Sequence, residues 1–159
     1  MHTHILIPTD GSELSAEAIQ YGIALAKAVN AKVTGVTVSS PFHFFAVDPD
    51  MATDTSVSYK KRMTAVAARR LARVEDAAAA AGVSCEVVHV EHDHPHQAII
   101  DVANTKGCDL IVMASHGRRG ISAIVLGSET LKVLTHSTIP VLVCRGPRPA
   151  LFPPYFAAS

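Results

Sequence analysis

The chain has 159 residues, 48% of them hydrophobic and 18% charged, which suits one domain built on a single core. Lysine plus arginine and aspartate plus glutamate each total 14, so the net charge is zero. That balance excludes an overall electrostatic pull toward nucleic acid or an anionic membrane, and neither is expected as a partner.

The opening "MHTHILIPTDGS" has no basic n-region, and its apolar run stops at Pro8. No segment approaches the ~20 apolar residues that span a bilayer, so a soluble cytoplasmic protein is expected. "HILIPT" (4–9) is a short apolar strand ending in the turn-like Asp10-Gly11. From Ser12 to about Val29, Leu14, Ala18, Tyr21/Gly22, Leu25 and Ala28/Val29 recur at helical spacing. "KVTGVTVSS" (32–40) is rich in valine and threonine and predicts a strand.

Residues 41–56, with Pro41, Pro49, several aspartates and Phe42, Phe44 and Phe45, predict a long connecting loop. A helix is expected over 57–82, with Met63, Val66/Ala67, Leu71, Val74, Ala78 and Ala81 as its apolar stripe and Gly82 as its end. "SCEVVHVE" (84–91) reads as a strand. "PHQAIIDVANTKG" (95–107) reads as a helix with proline in its first turn. "CDLIVMAS" (108–115), a helix from about Ser128 to Ser137 and "IPVLVCR" (139–145) complete the alternation.

Strands this continuously apolar are buried on both faces, which implies a parallel sheet with helices on either side. Residues 1–147 form the expected domain. Residues 148–159 are a proline-rich tail, whose aromatic residues could pack on a partner. Cys85, Cys108 and Cys144 show no C-x-x-C pair or zinc-ligand spacing, and each lies in or beside an apolar run. They are expected to be buried reduced thiols, which fits a reducing compartment.

In an open parallel sheet, ligands sit beyond the carboxyl ends of the strands. Two such ends here are polar and turn-forming: "PTDGS" after the first strand and "ASHGRRG" after the fourth. Gly117, Gly120 and Gly127 would let backbone N–H groups approach a ligand, and Gly127-Ser128 opens a helix whose free amides favour an anion. Ser128 adds a hydroxyl, and Arg118 or Arg119 adds positive charge. Asp10 could accept from a ribose hydroxyl or help hold a metal. The P-loop lysine and G-x-G-x-x-G are both missing, so the glycines alone equally allow a plain tight turn.

Other clusters have ordinary readings. His92, His94 and His96, with Glu91 and Asp93, suggest a metal site, but Pro95 breaks the extended segment needed to align them, so a solvated loop is preferred. Asp10, Ser115 and His116 lack any G-x-S-x-G context for a triad. Arg69, Arg70 and Arg73, offset by Glu75 and Asp76, read as a solvated helix face. Phe42, Phe44 and Phe45 read as core-capping or dimer contacts.

"ILIPTDGS", "DLIVMASHGRRG", "LGSETLKVL" and "IPVLVCR", in that order over about residues 3–145, together resemble the universal stress protein family. The resemblance implies an open five-stranded parallel α/β sheet of order 3-2-1-4-5, Rossmann-like and of the adenine nucleotide alpha hydrolase type. It also implies a homodimer through the last strands, here Val141 to Val143.

Nucleotide-binding members carry G-x2-G-x9-G-[ST]. Gly117, Gly127 and Ser128 match it, while Ala114 replaces the first glycine. By position, Pro8, Thr9 and Val38 would line the adenine pocket, with Asp10 near ribose or a magnesium ion. Met113, Ala114, His116, Gly117 and Arg118 would line ribose and phosphate. Gly127, Ser128, Glu129 and Thr130 would receive the terminal phosphates of ATP, or of ADP or AMP in its place. The resulting expectation is a nucleotide-dependent stress factor with at most slow ATP hydrolysis. The alternatives are a member that acts only through dimerisation and partner binding, which Ala114 supports, and a nucleotide-cleaving enzyme, a slow ATP hydrolase.

Overall fold

The structure, a computed structural model, describes residues 1–42, 49–116 and 126–146, with 49–55 as backbone alone. Strands and helices alternate: β1 (His4–Pro8), α1 (Glu13–Val29), β2 (Lys32–Ser39), α2 (Pro49–Ala81), β3 (Cys85–Glu91), α3 (Pro95–Lys106), β4 (Leu110–Ala114), α4 (Ser128–His136) and β5 (Val141–Cys144). All strand pairs are parallel, and the sheet order is β3-β2-β1-β4-β5. This is the doubly covered five-stranded sheet that the sequence implies.

The alternation of side chains along each strand builds two cores. Ile5 and Ile7 of β1, with Val33, Leu110 and Val112, face α1 (Ile19, Ile23, Ala26) and α2 (Val74, Ala78). Leu6, Val36, Ile111 and Met113 face the other way, under α3 (Ile99, Ile100, Ala103) and α4 (Val133). Complete burial of Ile5, Leu6 and Ile7 stabilises the fold by about 1.5–3 kcal/mol for each side chain. Because β1 and β4 are adjacent at the centre, their carboxyl ends open side by side.

Several expectations shift. Helix α2 begins at Pro49, well before 57. Proline at the first helical position lacks the N–H that would be orphaned there, and aspartate carboxylates in the first turns are favoured by the positive helix start, so both are start signals. In α1 the buried stripe is Ser15, Ala18, Ile19, Gly22, Ile23 and Ala26, while Tyr21 and Ala28 are exposed. A methyl at Gly22 would lie 2.6 Å from Ile7 Cδ1, so the small residues are what bring this helix onto β1.

Burial on both faces is complete for β1 and β4 but only partial for β3 and β5, which lie at the sheet edges. Accordingly Cys85 and Cys144 are half-buried, and only Cys108 is a buried thiol; all three are free. Burial raises the Cys108 pKa to about 11. Phe42 packs against Tyr59 of α2, with ring centroids 5.4 Å apart. Phe44, Phe45, Gly117, Arg118, Arg119, Gly120 and the tail 148–159 lie outside the described residues.

Candidate functional site

The end of β1 turns sharply and is held by its own polar groups. Thr9 N–H donates to the Val36 carbonyl (2.9 Å), and Thr37 Oγ1 donates to the Thr9 carbonyl (2.8 Å). Thr9 Oγ1 accepts from Gly11 N–H (3.2 Å), and Asp10 Oδ1 accepts from Ser12 N–H (3.0 Å). Gly11 has φ +80°, which favours glycine. Ser12 then caps α1, its hydroxyl accepting from Ser15 N–H at 3.1 Å.

The end of β4 is built differently. Gly127 N–H donates to the Ser115 carbonyl (2.8 Å), and buried Thr130 Oγ1 donates to the Ala114 carbonyl (2.9 Å). Gly127 is the N-cap of α4 and provides no side-chain cap. The helix therefore starts with first-turn amides that no side chain covers. A methyl on Gly127 would stand 3.0 Å from His116 Cα and 3.2 Å from His116 Cβ, so close backbone approach is what requires glycine there.

These two ends form opposite walls of one cavity of about 580 Å3. Pro8, Thr9, Asp10 and Val38 line one side. Met113, Ala114, His116, Gly127, Ser128, Glu129 and Thr130 line the other. Every sequence-selected residue that is described therefore reaches this cavity. Ser15, Val36, Ser40, Arg70, Asp93, Pro95 and Ile99 line it too, although the sequence reading did not select them. Val36 and Ile99 belong to the core stripes of their elements, and Arg70 reads in the sequence as one of a solvated arginine face. Their arrival at the site depends on how α2 and α3 cross the sheet.

The cavity refines individual roles. Ala114 ends a strand, and Asn30 is the sole non-glycine residue with positive φ among the described residues. Alanine is thus unstrained where the nucleotide-binding pattern has glycine. The Thr130 hydroxyl is committed to β4, so a ligand at this wall would meet the Thr130 amide. The Glu129 carboxylate turns toward α3, where Oε2 accepts from His96 N–H (2.9 Å) and contacts His96 Nδ1 (3.1 Å). Its other oxygen accepts from Lys132 Nζ at 2.9 Å. Partial burial opposes ionisation of Glu129, but the bonds from Lys132 and His96 outweigh it and hold the carboxyl below its usual range.

Ser115 Oγ lies 3.2 Å from His116 Nδ1, but Ser115 is buried behind the wall, and Asp10 is engaged with its own turn. The rings of His92, His94, His96 and His136 follow one another at 5.9, 6.0 and 5.9 Å between centroids. Among the described residues, no group of three or more His, Cys, Asp or Glu side chains is placed to hold a metal ion. No described helix is long and apolar enough to cross a membrane.

The universal stress protein family pattern matches residues 1–145. Universal stress protein MJ0531 of Methanocaldococcus jannaschii is 31% identical over 148 residues, covering 93% of this chain and 85% of that protein. The solved structure of protein MJ0577 from the same organism superposes with a TM-score of 0.79 at 26% identity, covering 94% of this chain and 99% of the other. A universal stress protein crystallised with cAMP superposes with a TM-score of 0.64 at 25% identity, covering 91% and 97% of the two chains. Sequence motifs, sheet order and relatives converge: the chain belongs to the universal stress protein family.

Proposed function

We propose that this protein binds an adenine nucleotide, ATP or its ADP and AMP counterparts, between the ends of β1 and β4. In this reading it works in the cytoplasm as a homodimeric stress-response factor regulated by the nucleotide, with hydrolysis at most slow. The observation that carries the proposal is the bare start of α4. Gly127 offers no side-chain cap, so the positive end of the helix and its amides are available to a phosphate on the wall of a mononucleotide-sized cavity. The cAMP complex of a protein with the same fold supports an adenine nucleotide as the occupant.

In this assignment Pro8, Thr9 and Val38 hold the base, and Asp10 meets ribose or a Mg2+ carried by the phosphates. Met113, Ala114 and His116, with Gly117 and Arg118, follow the ribose and inner phosphates. Gly127 and the amides of Ser128, Glu129 and Thr130 take the outer phosphates, with the Ser128 hydroxyl beside them. Mg2+ would supply neutralising charge.

For the dimer, β5 is the free edge of the sheet, pairing only with β4 among the described strands. Helix α4 packs beside it and exposes Leu131 and Leu134. Val141 to Val143 are therefore the proposed pairing segment.

Heat-releasing the contents of purified protein, chromatographing them, and titrating the emptied protein with ATP in a calorimeter tests the reading. Adenine nucleotide in the extract or saturable binding is expected. Their joint absence overturns the proposal.

A further inference from the structure

Resting on the nucleotide reading above, we infer that Arg70, brought to the cavity by α2, is the side chain that recognises the negative charge of the ligand. On sequence alone this arginine is one of three on a basic helix face. The structure separates them: Arg69 and Arg73 are exposed, whereas Arg70 is half-buried and lines the cavity. Its place follows from the helix repeat, since Arg70 directly precedes Leu71 on the stripe Ala67, Leu71, Val74 and Ala78 that packs α2 onto the fold.

The β1–α1 turn is shaped to receive it. A Cβ at Gly11 would lie 3.1 Å from Arg70 Cγ and 3.2 Å from Arg70 Nε, so the arginine stem rests over the bare Cα of the turn. One helical turn farther along, Arg73 Nη1 reaches the Gly11 carbonyl at 3.5 Å, and α2 thus meets this turn at two points. Gly11 therefore serves two needs at once: a left-handed backbone and a seat for Arg70.

Among the described residues lining the cavity, the formal charges are the carboxylates Asp10, Asp93 and Glu129 and a single cation, Arg70. Lys132 offsets the Glu129 carboxylate, which turns toward α3, so an anionic ligand beside Asp10 and Asp93 needs a further cation to offset their repulsion. A guanidinium offers a planar set of donors suited to phosphate and stays protonated at any working pH. The bare start of α4 supplies amides on one side of the cavity, and Arg70 brings a guanidinium to the other.

The test is a calorimetric titration of wild type, Arg70→Gln, Arg70→Lys and Gly11→Ala with adenosine, AMP and ATP, with melting curves to confirm folding. Arg70→Gln is expected to weaken AMP and ATP by about tenfold or more while leaving adenosine within about twofold. Arg70→Lys should fall between, because it keeps charge but loses the fork. Gly11→Ala should also penalise the phosphorylated ligands more than adenosine, by displacing the arginine stem.

Unchanged AMP and ATP binding in Arg70→Gln overturns the inference and leaves the nucleotide reading standing. Equal losses for adenosine and ATP also overturn it, since they assign Arg70 to shape and not to charge. A wild type that binds none of the three removes the nucleotide reading, and this inference with it.

Discussion

The two ends of the sheet use polar residues in opposite ways. At the carboxyl end, the β1–α1 turn bonds to itself, but the start of α4 leaves its first amides without a side-chain cap on the wall of an open cavity that Arg70 of α2 also lines. At the amino end, polar groups close on one another. His4 Nε2 donates to Thr34 Oγ1 at 2.7 Å, and Thr34 Oγ1 donates to Glu86 Oε1 at 3.1 Å. Glu86 Oε2 then accepts from Lys106 Nζ at 2.7 Å. Beside this chain, Asp109 accepts from Thr3 N–H and Thr3 Oγ1, both at 2.8 Å. Both ends frame the same apolar strands, so the contrast is between helix-start amides left without a side-chain cap and polar groups spent on the fold.

The largest expected effect comes from filling the open end. In Gly127→Val, the first added carbon already meets the His116 backbone, so α4 must move off the cavity wall. Nucleotide affinity should fall about 100-fold or more, as misplacement by an ångström commonly costs that much. Calorimetric titration with ATP measures it. Retained affinity would show that the start of α4 is not the phosphate site, and would break the comparison at its functional end.

The complementary change is Thr34→Val, which keeps volume and removes the hydroxyl linking His4 to Glu86. His4 and Thr34 are almost fully buried, so the orphaned imidazole donor should cost about 1–3 kcal/mol. Melting should drop by roughly 2–12 °C in a chain of this size. ATP affinity should stay unchanged, since neither residue reaches the cavity. A loss of affinity as large as the loss of stability would mean that the two ends are coupled.

A smaller effect should appear as pH dependence. Burial, then Lys32, lowers the pKa of His4 below 6.5 despite the opposing carboxylates Glu86 and Asp109. The unfolded chain therefore binds a proton at this site before the folded chain does. Stability from neutral His4 is fully present above about pH 6.5 and declines as pH falls toward the folded pKa. Melting curves between about pH 8 and pH 5 should slope less in His4→Gln than in wild type. Identical slopes would remove His4 from the acid sensitivity of the fold.

Local sequence carries the elements and the turn chemistry, but not what the helices bring to the cavity. Apolar runs and helical periods predict the alternation of elements, because local spacing reports which face is buried. Sheet order came through the resemblance: no periodicity in "HILIPT" says that β4 will be its neighbour. The β1 and β4 ends were legible because turns and helix starts have chemical signatures, as in "PTDGS" and "GSET". Arg70, Asp93 and Ile99 were not, because their elements signal only a helix or a loop, and crossing angles decide what they reach. In α1, Ala18 and Gly22 of the expected stripe are buried and Leu25 and Val29 pack against the core, while Tyr21 and Ala28 lie outside it. Leu14, Tyr21 and Leu25 are the larger apolar residues, yet the small Ala18, Gly22 and Ala26 permit the closest approach to β1.

The smallest change tests whether charge or burial holds the amino end. Lys106 and Glu86 form the shortest ion pair there, 2.7 Å, but their side chains are 35% and 46% exposed. Water already solvates both, so the pair replaces good hydration with little net gain, at most about 1 kcal/mol. The bond from Lys106 holds the Glu86 carboxyl below its usual range, helped by Thr34 against desolvation. Lys106→Met should therefore shift melting by no more than about 4 °C, less at high salt, with Thr34 still anchoring Glu86. A loss as large as that of Thr34→Val would transfer the stabilising role from the buried hydroxyl to the exposed pair. The amino end would then depend on a screened surface charge, and the contrast with the carboxyl end would be one of charge placement, no longer one of burial.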